Sequence, residues 1–358
     1  CRGALGEKNN DYYNFCAYRI GTARCGGLLA QVVIMVTRIT DQELSALSRA
    51  YDRIRGEISR YIVGNQDLLE IIFIGLLAEG HVLVEGIPGT AKSTLVKATA
   101  QLMGCDFRRV QCGIDTQPAD VIGVRVWDSQ QREFVMKKGP LFSNILLVDE
   151  INRLPPKSQS AFIEAMGERQ ATIDGITMPI ERPYIAIATQ NPLEREGTFP
   201  LIEAQKDRFM FSQRSAFLEG AAELEIIRRE HTGELDWPSY FDSLAPVLQK
   251  ADLLRFSQAI RRVHVEEPVL AYIRDLVVAT REHSDVEFGA SARGSIALVR
   301  GAKVRAAIGN RSYVIPDDVK ELALSAFQHR LLLTREAELS GITPARVVQE
   351  IIDAVVVP

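Results

Sequence analysis

Gly86-Ile87-Pro88-Gly89-Thr90-Ala91-Lys92-Ser93 is the stretch whose reading decides the fold. The apolar run at 81–84 before it reads as a buried strand, and the segment from Thr94 to Ala100 after it reads as a helix. A strand, a glycine-containing loop and Lys-Ser at a helix start are what a chain needs to wrap a polyphosphate. Successive backbone N–H groups turn inward, the helix N-terminus supplies positive partial charge, and a lysine reaches the terminal phosphates. The strict phosphate-loop pattern places Gly before the Lys. Here Ala91 stands in that position, so the residues downstream must carry the case.

Working outward, Ile145-Leu146-Leu147-Val148-Asp149-Glu150 is a continuous apolar run of the kind buried on both faces of a parallel sheet. It ends in two carboxylates at the strand's carboxyl end, where open α/β sheets bind ligands. The first acid suits the shell of a Mg²⁺ ion and the second suits polarising water, and adjacent buried carboxylates call for a cation. Alone, Asp-Glu after a strand is a common loop start; behind a phosphate loop it gains meaning. Another apolar strand, 184–189, runs into Gln190-Asn191-Pro192. Asn191 then lies at the same edge, either to orient water or phosphate or as a turn residue before Pro. A short helix at 203–207 precedes Arg208, read as a surface cation or an anion contact, and Phe209-Met210-Phe211 reads as a fifth strand.

The remaining pattern sets the organisation. Thr40-Asp41-Gln42-Glu43 is a capping box, followed by an amphipathic helix and, after Val63-Gly64-Asn65, an apolar helix over 66–78. Phe107 to Gln111 reads as a second strand. The runs 124–128 and 133–136 read as a hairpin that interrupts a crossover, with helical character expected at 116–121 and again at 140–144. A helix is expected over 152–169, and Asp174-Gly175 between two β-prone runs signals a second hairpin over 171–180. From Leu218 onward strand signals vanish and six helical patterns follow, with 233–246 reading as a linker. The expected division is a tail at 1–34, an α/β core at 35–217 carrying hairpins at 124–136 and 171–180, a connecting helix and linker at 218–246, and a helical lid at 247–358. Residues 1–34 lack periodicity and read as non-native or upstream sequence without order, with translation starting at Met35.

The chain resembles the MoxR family of AAA+ ATPases, in its helix-2-insert branch. The resemblance rests on residues 86–93, 147–153, 164–175, 187–192 and 203–211, and covers about 40–333. It implies a P-loop NTPase fold, in which helices sandwich a parallel five-stranded sheet and a smaller all-α lid follows. Family members carry Ala before the loop lysine, so Ala91 becomes a family mark; because Ala tolerates positive φ poorly, a negative φ is expected there.

The resemblance further implies ATP and Mg²⁺ as ligands. Lys92 matches the lysine that neutralises β/γ-phosphate oxygens. Ser93 and Asp149 match the metal-binding pair. Glu150 matches the acid that activates water, and Asn191 the polar sensor beside it. Arg208 matches an arginine finger that reaches a neighbouring subunit, and Arg293 the arginine of the lid. Gly86, Ile87, Pro88, Gly89, Thr90, Ala91, Lys92, Ser93 and Thr94 would cradle the phosphates, with Val63 and Gly64 near the base. Ala292 stands where members usually have Pro. A hexameric ring, a protein partner with a von Willebrand factor A domain and a chaperone-like remodelling role are the family's implications.

Bulk composition narrows the classes. The chain has 358 residues, 46% hydrophobic and 25% charged, with net charge −4, which is ordinary for a globular protein with room for two cores. No excess of positive charge points to nucleic acid, although Lys137 and Lys138 follow the first hairpin. A nucleic-acid motor and a nucleotide-gated scaffold with weak hydrolysis are the rival readings. Nothing reads as membrane-spanning, since the apolar run 28–36 is too short. The cysteines show no CxxC spacing, so Cys105 and Cys112 read as free buried thiols of a reducing compartment and the protein as cytoplasmic.

Overall fold

The computed structural model describes residues 15–18, 34–87, 90–191, 197–215 and 218–358. Its centre is a five-stranded parallel sheet. The strands are β1 (Val82–Gly86), β2 (Phe107–Gln111), β3 (Ile145–Asp149), β4 (Ile185–Gln190) and β5 (Phe211–Ser215), in the order β5-β1-β4-β3-β2. Side chains alternate across a strand, so each strand serves two cores. Val82, Val84, Ile145, Leu147, Ile185 and Ile187 face one layer, and Leu83, Leu146, Val148, Ala186 and Ala188 face the other. The register sets Gln111 opposite Asp149, and Gln190 opposite Glu85. The chemistry-bearing carboxyl ends therefore lie side by side.

Helices cover both faces. Thr40 caps α1 (Asp41–Ser59): its hydroxyl accepts the Glu43 N–H at 3.3 Å, and Glu43 accepts the Thr40 N–H at 2.9 Å. Leu44, Leu47, Tyr51, Ile54 and Ile58 form its buried stripe. The next helix, α2 (Gln66–Leu77), is buried almost all round, as its unbroken apolar pattern requires. It lies between the sheet and the lid. The loop after β1 leads into α3 (Lys92–Leu102). Across the sheet, α4 (Pro156–Glu168) packs Phe162, Ile163 and Met166 against the second core.

Four local expectations need correcting. The helix expected over 152–169 starts only at Pro156, after a 3₁₀ turn at Ile151–Arg153; Pro155 and Pro156 in succession keep the preceding residues out of helical geometry. Helical character resumes at 140–144 in the sequence reading, but that stretch is a turn. The fifth strand begins at Phe211, because the carbonyls of Phe209 and Met210 are taken by Arg330 at 2.6 and 3.0 Å. The linker at 233–246 contains a helix, labelled α6 (Trp237–Ser243), after α5 (Gly220–His231). Asp236 caps α6, its Tyr240 is buried, and the Tyr240 ring stacks on Tyr61 with centroids 3.9 Å apart.

Both hairpins form, pairing Gly123–Asp128 with Glu133–Lys138 and Gln170–Ile173 with Ile176–Pro179. Asp174 and Gly175 have φ of 47° and 81°, the left-handed pair that a two-residue turn needs. The lid is helical, with Lys250–Ile260, Glu267–Glu282, α7 (Ala292–Ile308), α8 (Pro316–Phe327), Arg335–Leu339 and Pro344–Ala354. A two-stranded antiparallel ribbon, Val286–Phe288 with Leu332–Leu333, breaks the all-helical expectation there. Leu298, Ala302 and Phe327 of the lid join the core shared by α1, α2 and one sheet face, so lid and core are continuous in packing. Within 1–37, Phe15–Tyr18 pairs with Ile34–Thr37. No helix among the described residues is long and apolar enough to cross a membrane. Cys105 and Cys112 are free, and burial pushes each thiol up to about 12.

Candidate functional site

A basin of about 280 Å³ opens at the carboxyl edge of the sheet. Gly86 ends β1 there, Arg109 and Gln111 come from β2, Asp149 and Glu150 from the end of β3, and Thr189, Gln190 and Asn191 from β4 and its exit. The loop after β1 and the first turn of α3 supply Thr90, Ala91, Lys92, Ser93 and Thr94. Pro88 and Gly89 lie outside the described residues. Gly86 has no room for a side chain: a Cβ would sit 2.7 Å from the Cβ of Ser215.

Ala91 corrects one expectation. Its φ is +55° and its ψ 18°, left-handed rather than negative, so the loop takes there the conformation a glycine would adopt freely. For an L-residue this costs about 1–2 kcal/mol. Glu150 is also left-handed, with φ of 59°. Strain is thus stored on both sides of the basin.

Lys92 Nζ donates to the Ile87 carbonyl at 2.5 Å and to Thr90 Oγ1 at 3.0 Å. Burial holds its pKa below the usual lysine value, with Asp149 partly offsetting this. Asp149 is buried and fully engaged. Its Oδ1 accepts the Thr189 hydroxyl at 3.1 Å, and its Oδ2 accepts Ser93 Oγ at 3.2 Å and Arg109 Nε at 2.6 Å. Glu150 accepts the Gln111 amide at 3.2 Å and pairs with Arg153 at 2.9 Å. Ser93 and Asp149 are hard oxygen donors on one spot. Among the described residues no group of three His, Cys, Asp or Glu could hold a metal, so a cation here would take its other ligands from phosphate and water, as Mg²⁺ does.

A second, apolar cavity of about 470 Å³ adjoins the loop through Thr90 and Ala91. Val63 and Asn65 line it, as do Tyr61, Leu218, Ile226, Ile227 and Trp237. Gly64 lies between the lining residues Val63 and Asn65 without lining the cavity itself, and a Cβ there would meet Leu218 at 2.6 Å. The cavity's largely apolar lining, with Tyr61 and Trp237, suits a planar base.

Arg208 and Arg293 are not in either cavity. They line a basin of about 290 Å³ at the amino edge of the sheet, with Gly80 and His81 before β1, Met210 before β5, and Arg300 and Arg330. Arg208 donates to the Ile163 carbonyl at 3.3 Å, and its guanidinium leaves space only for Gly167, where a Cβ would sit 2.6 Å away. Asp207 gathers the lid onto this edge. It pairs with Arg293 at 3.0 Å and Arg330 at 2.9 Å, and accepts the Ser291 hydroxyl at 3.0 Å. A five-residue strand separates the two edges by about 16 Å. Arg293, expected as the arginine of the lid, stands at the start of α7 beside Arg208, and Asp207 holds it there.

His81 fixes this edge. Its Nδ1 accepts the Ala186 N–H at 3.0 Å, and its Nε2 lies 3.1 Å from the Met166 carbonyl. Burial drives its pKa down to about 4.

The chain matches the model of the "ATPase family associated with various cellular activities (AAA)" over residues 81–211 and that of the "AAA lid domain" over 278–351. It is 42% identical to YeaC of Bacillus subtilis over 84% of this chain and 92% of YeaC. It is 38% identical to the chaperone MoxR1 of Mycobacterium tuberculosis over 88% of this chain and 84% of that protein. The chain belongs to the MoxR family of AAA+ ATPases. A crystal structure from Cytophaga hutchinsonii, provisionally described as an ATPase, superposes with a TM-score of 0.82 at 37% identity, covering 89% of this chain and 98% of that one. The protein is accordingly an ATPase of the α/β P-loop class with a helical lid.

Within this MoxR-family frame, sequence reasoning missed several site residues. Arg109 and Gln111 fell within 107–111, read only as a second strand; the clue was two polar side chains, two apart, at a carboxyl edge. The base-cavity residues from α5 and α6 had a clue in Asp236-Trp237-Pro238, a helix start.

Proposed function

We propose that this MoxR-family ATPase hydrolyses ATP with Mg²⁺ only at a seam between two copies of the chain, in a ring, and uses the turnover to remodel or mature a partner protein. The observation that carries this is the separation of the two edges. The acids and Lys92 lie at the carboxyl edge, while Arg208 and Arg293 lie at the amino edge of the same strands. No phosphate can touch both in one copy, but one copy's arginines can reach the next copy's phosphates.

In this reading Gly86, Ile87, Pro88, Gly89, Thr90, Ala91 and Thr94 cradle the phosphates, and Val63 and Gly64 border the base. Lys92 balances phosphate charge. Ser93 and Asp149 hold Mg²⁺, which lends charge stabilisation to the transferred phosphoryl group. Glu150 takes the proton of the attacking water, with Asn191 orienting it. Phosphoryl transfer is mostly positioning and charge stabilisation, so arginines arriving from a neighbour make assembly a condition of turnover. The hairpin 123–138, with Trp127 and Phe134 exposed and in edge contact at 5.2 Å, offers a protruding apolar contact for a protein client. In this reading the partner class is a protein with a von Willebrand factor A domain and the ring is a hexamer, both taken from the family resemblance.

The test is ATPase activity per subunit across the assembly range, with Glu150→Gln as control. Activity per subunit should rise steeply with concentration, since a trans arginine in related NTPases is worth ~10³–10⁵ in rate. Glu150→Gln should bind ATP and not turn it over. A flat specific activity from dilute monomer to full assembly would sink the seam reading.

A further inference from the structure

Asp149 is a buried carboxylate, and a buried charge is costly without a partner. Among the described residues one cation is hydrogen-bonded to it, and that is Arg109, not Lys92. The Arg109 Nε–Oδ2 contact, 2.6 Å, is the shortest of the three that Asp149 makes, and it falls on the same oxygen that Ser93 approaches at 3.2 Å. Ser93 and Asp149 are the residues that would hold a divalent ion here. Yet the Arg109 side chain is 51% exposed while that of Asp149 is 9%. The arginine reaches in from the basin wall rather than being packed behind the acid. Its remaining hold is a 2.6 Å bond from Nη2 to Gln111 Oε1, on the same exposed strand end.

We propose that Arg109 is a displaceable counter-cation for Asp149. It neutralises the carboxylate while no divalent ion is present, gives up Oδ2 when one binds, and so sets how much Mg²⁺ the site demands. This rests on the reading of Asp149 as the metal acid. The exposures explain the division of labour. A buried arginine could not leave without stranding its own charge, whereas Arg109 can retreat into solvent at little cost. A purely architectural ion pair would behave differently, since its removal would weaken the fold and leave metal affinity alone.

The experiment measures Mn²⁺ binding to the nucleotide-free protein by loss of the free-ion electron paramagnetic resonance signal, together with the rise of melting temperature on adding Mg²⁺. Arg109→Met should bind Mn²⁺ roughly fivefold or more tightly than the parent, because the ion no longer competes with a tethered cation, and should gain more from Mg²⁺ by mass action. Arg109→Lys keeps the charge and should stay within about twofold of the parent on the same linkage. If Arg109→Met does not fold, Arg109→Gln makes the same comparison. Mn²⁺ affinity in the neutral variant equal to or below the parent's overturns the proposal. Asp149→Asn separates the two readings. If it loses Mn²⁺ while Arg109→Met gains none, the metal acid stands and displacement falls; if it binds Mn²⁺ like the parent, the metal reading itself is wrong.

Discussion

The two ends of β1 make opposite demands. Its carboxyl end opens onto acids, hydroxyls and a half-buried lysine; its amino end opens onto arginines gathered by one aspartate. The carboxyl edge is built from strand ends and strained loop residues, Ala91 and Glu150 among them. The amino edge is built from the helix α4, the helix α7 and the buried Arg330. The first is an open basin whose acid, hydroxyls and lysine are paired locally, with Arg109 at its exposed wall. The second is held together by Asp207 through Arg293 and Arg330, with Arg208 and Arg300 facing the basin. On the function proposed above, that difference makes the chain carry two half-sites rather than one complete one.

The strongest way to break this comparison is to disable one edge per subunit. Arg208→Ala and Glu150→Gln proteins should each be nearly inactive, down by ~10³-fold or more. Mixed one to one, they should recover activity, because about a quarter of the seams in a head-to-tail ring would then join an intact carboxyl edge to an intact arginine. Steady-state ATPase assays of the mixture decide it, and no recovery would mean that both edges act within one copy.

Acid sharpens the comparison next. His81 titrates near 4 in the fold against about 6.5 when unfolded. Between those values the unfolded chain takes up the proton and the folded one does not. Its contribution is therefore intact above pH 6.5 and lost progressively as pH falls toward 4, by about 3 kcal/mol in all. His329, buried at the same edge and also driven well below its usual value by burial, acts in the same direction. Urea unfolding at pH 7 and pH 4.5 should show the loss, and His81→Gln should flatten it. Hydrogen exchange at Ala186, whose N–H His81 accepts, should quicken before exchange at the phosphate loop does.

The smallest effect lies at the other edge. Ala91→Gly should raise stability by about 1 kcal/mol, the relief of a left-handed alanine less the extra freedom of an unfolded glycine. Denaturant melts would show it, and a loss of stability would mean that the Ala91 methyl packs more than its geometry suggests.

Much of this was legible in the chain. The strand-loop-helix at 82–102 and the acid pair after β3 announce themselves because apolar runs and chemical spacing are local signals. Arg208 was singled out, by resemblance, as reaching a neighbouring subunit; that it and Lys92 lie at opposite ends of the sheet follows only from the parallel strand order. The setting of Arg293 is hidden in the sequence for a similar reason: it depends on Asp207, 86 residues away. Arg109 escaped notice because its partner lies 40 residues on, in a neighbouring strand. The conformation of Ala91 was misjudged because a loop can impose a backbone angle that its residue would not choose. The helix at 237–243 hid inside apparent linker because its anchoring ring, Tyr61, lies far upstream.

Asp207 leaves one mechanical consequence. It precedes Arg208 in the chain and holds Arg293 and Arg330 of the lid, and Arg330 is buried with bonds to the carbonyls of Asp207, Phe209, Met210 and Ala326. Drawing that guanidinium out would strand a charge and several acceptors at once. Lid and finger edge thus form a single welded wedge. In the ring proposed above, the compliant joints would be the seams between subunits, and motion there would be motion of whole subunits against their neighbours' nucleotides.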